Sequence, residues 1–62
     1  PHQELLAMRL AHARRLLERP DAPLSQVALA SGFSDQAHLT RLFRRAYGVT
    51  PGAVRQALTS AR

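Results

Sequence analysis

"ALASGFSDQAHLTRLF", residues 28–43, holds the reading on which the rest of the chain turns. One apolar helical pattern breaks at Gly32 and another restarts almost at once. Glycine carries no Cβ, so it takes the left-handed conformation that closes a helix without steric cost. Phe33 then falls where a residue folds back onto Val27 or Ala28. Ser34 is expected as the N-cap of the next helix, with Asp35 beside it at the positive end of the helix dipole. The small side chain of Ala28 lets a neighbouring helix approach closely. Two helices joined by a sharp glycine turn are the expectation.

Upstream, a second helix is expected over residues 23–31, with Pro23 in its first turn, where a missing N–H has no intrahelical partner anyway. Leu24, Val27, Ala28 and Ser31 share one face; Leu29 lies opposite, either packed on another helix or exposed. Further upstream, residues 4–19 read as a longer helix. Leu6, Leu10, Ala13 and Leu17 recur every three to four positions, with Leu5 and Leu16 widening the stripe. Pro20 ends it, and residues 19–23 form a connector. Downstream, Gly48 stops the third helix after Tyr47. Thr50 as N-cap and Pro51 as first residue then open a closing helix over residues 51–60. Val49 and Val54 occupy the positions of a hydrophobic staple. Nothing alternates like a strand, so the fold class is all-α, a small bundle of about four helices.

Sixty-two residues make one small domain. A chain of this size buries only about 60% of the surface its unfolded form exposes, so its stability is expected to be marginal. There is no cysteine to staple it. No apolar run approaches the roughly 20 residues of a membrane span, and no signal-peptide pattern opens the chain. A cytoplasmic, nucleoid-associated protein is the expectation. Nine arginines and no lysine against four acids leave a net charge of +5, which favours a polyanionic partner.

The third helix, residues 35–47, has two chemically distinct faces. At about 100° per residue, Leu39, Leu42, Phe43 and Ala46 form the core stripe. Ala37, Thr40, Arg41 and Arg44 point the other way, with Gln36 and Arg45 at the edges. A generic solvated face would mix Glu with Lys or Arg for pairing one turn apart. This one carries small residues, an amide, a hydroxyl and guanidiniums, which is the set a helix needs in a DNA major groove. Gln and Arg can bond adenine and guanine edges bidentately, Ala and Thr can touch a thymine methyl, and flanking arginines can hold phosphates.

The residues 23–56, "PLSQVALASGFSDQAHLTRLFRRAYGVTPGAVRQ", resemble the second, C-terminal helix-turn-helix unit of the AraC/XylS family of bacterial transcription regulators. The resemblance lies in the GF…F…G…TP order, and "RLAHARRLL", residues 9–17, resembles the linker helix that precedes that unit. It implies a linker helix over residues 4–19, a helix-turn-helix over residues 23–47 and a closing helix. It also implies base contacts from Gln36, Ala37, Thr40 and Arg41, with Arg44 near phosphate; Arg45 is taken as a second phosphate contact from its facing. The implied core is Leu24, Val27, Ala28, Phe33, Leu39 and Phe43. The chain departs from the family pattern at Pro23, where a Ser-type cap is usual, at Ser31, where an apolar residue is common, and at Val54, where Tyr is usual. The family's first helix-turn-helix and sensor domain have no counterpart here. A fragment is therefore expected, with Leu5, Met8 and Leu16 left uncovered and able to promote self-association.

Other chemistries fit less well. His2, His12 and His38 lack metal-ligand spacing, and His38 is expected to pack at the edge of the core. Ser34, Asp35 and His38 include triad residue types but lack a strand elbow and an oxyanion site. No catalytic residue, cofactor or metal is expected. Phe33, Phe43 and Tyr47 read as core aromatics, not as a base-stacking platform. Arg14 and Arg15 read as solvated charges, and Arg55 as an ion-paired or idle surface residue ahead of a DNA-backbone contact from the last helix. Double-stranded DNA is the expected partner. The alternative is a helical module docking on RNA polymerase or a second regulator, its arginines meeting an acidic patch. RNA and membrane surfaces rank lower, because an RNA major groove is too narrow for a helix and the apolar stripes are consumed by a core.

Overall fold

The computed structural model describes residues 2–60, and these form four helices with no strand among them. They are α1 (His2–Leu16), α2 (Leu24–Ala30), α3 (Gln36–Tyr47) and α4 (Pro51–Ser60). Leu10, Ala13 and Leu17 from α1 and its exit meet Val27 and Ala28 of α2, Phe33 of the turn, and Leu39 and Phe43 of α3 in one buried core. Leu6, Leu16, Leu24, Leu42, Val54 and Leu58 pack around it half-buried. Full burial of each large apolar side chain contributes about 1.5–3 kcal/mol, so these few residues carry most of the stability of so small a domain.

Helix α1 is shorter than its apolar pattern. The Leu17 amide still bonds Ala13, but the Glu18 and Arg19 amides turn to Arg15 and Leu16, a tighter three-residue closure. Pro20 causes this, because its ring disfavours helical geometry in the residue before it. Pro23 is also displaced from the expected position. It stands one residue before α2 with φ −61° and ψ 147°, and its carbonyl accepts from the Gln26 and Val27 amides. Proline has no side-chain acceptor, so α2 begins without a side-chain cap.

The turn between α2 and α3 follows the expectation closely. Gly32 has φ +93°, its amide bonds the Leu29 carbonyl, and the Phe33 amide bonds the Ala28 carbonyl at 2.9 Å. This pair of reversed bonds is the Schellman closure, and it seats Phe33 in the core. Ser31 is buried among apolar neighbours, and its hydroxyl donates to the Val27 carbonyl at 2.6 Å. A polar group stands there without an unmet bond.

The cap of α3 falls one residue later than expected. Asp35, not Ser34, is extended and accepts from the His38 amide at 2.8 Å. Ser and Asp cap about equally well; here Ser34 instead meets the side chain of His38. Its Nδ1 lies 3.3 Å from the Ser34 amide and 3.1 Å from the Ser34 hydroxyl, which occupies Ser34 elsewhere. The His38 ring stands edge-on to Phe33 at 5.3 Å and is half-buried, in line with a packing role. At the far end, Gly48 (φ +79°) stops α3. Two residues placed in the core, Ala46 and Tyr47, are instead exposed, although the Tyr47 ring still meets buried Phe43 edge-on. Thr50 caps α4 through its hydroxyl, which accepts from Ala53, and Pro51 is buried as its first residue. Val49 remains 46% exposed, while Val54, its expected staple partner, is half-buried.

Of the side chains expected to form an uncovered strip on α1, Leu5 and Met8 are exposed, but Leu16 packs against the core. Its position on the stripe gives it a place beside α2, where Ala22, Val27 and Ala30 border the same hollow. Leu29 is 60% exposed, which resolves its two alternatives in favour of solvent.

Candidate nucleic-acid interface

Burying Leu39 and Phe43 rotates the opposite side of α3 outward. Gln36, Ala37, Arg41, Arg44 and Arg45 are exposed and Thr40 is half-exposed. These same six side chains line one shallow concavity of about 880 Å³, with no carboxylate among them. All six residues singled out from the sequence therefore lie together on one surface.

Three features hold that surface in place. The Asp35 cap fixes the start of α3, the Schellman turn fixes its approach to α2, and the fully buried Phe43 fixes its rotation. A helix anchored this way presents its outer side chains on a rigid element, which suits geometric recognition. The guanidiniums of Arg41, Arg44 and Arg45 have no hydrogen-bond or ion-pair partner within the described residues. They are free to bind an external anion.

Arg55 is not the idle or ion-paired surface residue expected: among the described residues it has no carboxylate partner, its Nε donates to the Leu17 carbonyl at 2.9 Å, and Nη1 reaches the Pro20 carbonyl at 3.4 Å. It ties α4 to the exit of α1 and satisfies carbonyls that the shortened helix leaves open. Its partners are backbone atoms remote in sequence, so no residue pattern announces them. Arg14 pairs with Glu18 at 3.5 Å, while Arg15 is exposed with no such partner among the described residues. No helix among the described residues is long and apolar enough to cross a membrane.

Two helices joined by the Gly32 turn, the second presenting an arginine-rich outer face, agree with the family match. A family model described as "Helix-turn-helix domain" covers residues 1–57. The chain belongs to the AraC-type helix-turn-helix family. Among curated relatives of this AraC-type domain, the "Probable transcriptional regulator LumQ" of Photobacterium leiognathi is 47% identical over 51 residues, which is 82% of this chain and 21% of that protein. The "HTH-type transcriptional regulator GlxA" of Rhizobium meliloti (strain 1021) is 43% identical over 49 residues, covering 79% of this chain and 15% of its own length. The "HTH-type transcriptional activator RhaS" of Escherichia fergusonii is 39% identical over 56 residues, 90% of this chain and 20% of that protein. The chain thus spans about a fifth or less of the length of these relatives. No solved structure gives a significant match. The chain is a helix-turn-helix domain of the type that transcriptional regulators carry.

Proposed function

We propose that this domain binds double-stranded DNA in a sequence-specific manner, with α3 lying in the major groove, as part of a bacterial transcription regulator working in the cytoplasm. In this reading α1 is the linker helix and residues 23–47 are the second helix-turn-helix unit. Gln36, Ala37, Thr40 and Arg41 face base edges, and Arg44 and Arg45 hold phosphates on either side. The observation that carries the proposal is the gathering of these six residues on the outward face of α3, free of carboxylates. Amide, hydroxyl, methyl and guanidinium groups each have a counterpart on a base edge or phosphate. An acidic protein patch would use the guanidiniums alone, which favours DNA over the docking alternative.

The test is a pair of substitutions read on a selected duplex and on random duplex. Arg41→Ala loses roughly 1–3 kcal/mol on the selected site and relaxes one base preference. Arg44→Ala weakens both duplexes alike and lowers the salt slope by about 0.9 for the phosphate contact it removes. Equal losses on both duplexes for Arg41→Ala would sink its role as a base reader.

A further inference from the structure

A second cleft lies between α1 and the junction of α3 with α4. Phe43 and Val54 sit at its base, Tyr47 and Val49 form its lip, and Arg14 and Arg15 stand on its rim; it encloses about 460 Å³. The edge-on contact of Tyr47 with Phe43, at 4.6 Å between ring centres, extends the apolar core outward to this surface. Yet Tyr47 is 47% and Val49 46% exposed. Together with Phe43 and Val54 beneath them, they give the cleft an apolar lining that a partner's surface could cover.

We infer that this cleft docks an acidic protein segment that inserts an apolar side chain between Tyr47 and Val49 while its carboxylates meet Arg14 and Arg15. Three observations select this occupant. A small ligand normally has 70–90% of its surface enclosed, roughly speaking, and a cleft whose lip is nearly half exposed cannot enclose one; a partner's surface can close it. The rim charge calls for acids: Arg15 has no carboxylate partner among the described residues, and Arg14 has one contact to the exposed Glu18, at 3.5 Å. Such an exposed pair is weak and exchanges easily for a better partner. A second copy of the chain, carrying +5 like the first, brings the wrong charge to this rim. The inference does not depend on α3 reading DNA, because no residue of this cleft belongs to the concavity of that face.

The experiment is an NMR titration of the isotope-labelled chain with a short synthetic peptide of alternating Glu and Leu. The controls are the same peptide with Ser in place of Leu and with Lys in place of Glu. Amide shifts are expected at Ala11, Arg15, Tyr47 and Val49, with neither control binding. Arg15→Glu, on an exposed site that leaves the core untouched, weakens binding by about tenfold through the reversed rim charge. Val49→Asp abolishes it, with helical content checked by circular dichroism. Shifts confined to Gln36, Ala37, Thr40, Arg41, Arg44 and Arg45, binding of the Ser peptide as tight as the Leu peptide, or no shifts at millimolar peptide would overturn the inference. So would dimerisation of the chain through this cleft, or movement of the Arg14 and Arg15 amides by duplex DNA, which would assign the rim to phosphate.

Discussion

Replacing Arg55 by alanine removes a side chain that hydrogen-bonds α4 to the exit of α1. The Nε bond to the Leu17 carbonyl is short, at 2.9 Å, whereas the Nη1 bond to Pro20 is near its limit at 3.4 Å. A hydrogen bond from a charged donor is worth about 1.5–3 kcal/mol. Against this, the buried Nη2 has no partner, a penalty that alanine relieves. The balance is a loss of about 1–2 kcal/mol, and at about 4–8 °C per kcal/mol for a domain this small the melting temperature falls by roughly 5–15 °C. The assay is thermal unfolding by circular dichroism, with Arg45→Ala as the control that removes the same charge from an exposed site without internal bonds. That control stays within about 0.5 kcal/mol of the parent. If the two variants melt together, Arg55 contributes only its charge, and the assignment of a structural tie is wrong.

Other changes probe the supports of α3. Gly32→Ala places a Cβ at φ +93°, 3.1 Å from Nε of Arg9. The arginine can swing aside, but the left-handed backbone still costs about 1–2 kcal/mol, visible in urea unfolding. Asp35→Ala loses the bond to the His38 amide and about 1 kcal/mol, with faster hydrogen exchange in the first turn of α3 than in its last. Phe43→Ala opens a cavity in a fully buried position and costs about 3–5 kcal/mol, enough to leave so small a domain largely unfolded by circular dichroism at room temperature.

The Gly32 turn, the two faces of α3 and the Thr50–Pro51 start of α4 were legible because each rests on local chemistry. A residue's own backbone preference, or a helical period, is enough to read them. What was illegible depended on contacts across the chain. The sequence could not show that His38 would engage Ser34 and that the cap would fall on Asp35. Nor could it show that Ala46 and Tyr47, on or beside the apolar stripe, would stay exposed. The role of Arg55 was hidden for the same reason: its acceptors are the carbonyls of Leu17 and Pro20 at the exit of α1, more than thirty residues away in sequence. That the six residues of the candidate interface share one outward face was also legible, because a helix turned by Leu39 and Phe43 leaves its opposite face no other direction.

Methylation interference on a selected duplex tests most directly whether that face enters the major groove. Guanine N7 is exposed in the major groove and adenine N3 in the minor. The account predicts that N7 methylation within the site blocks binding and N3 methylation does not, with Arg41→Ala becoming indifferent to N7 methylation at one position. Interference at N3 alone, or a pattern unchanged by Arg41→Ala, would contradict it.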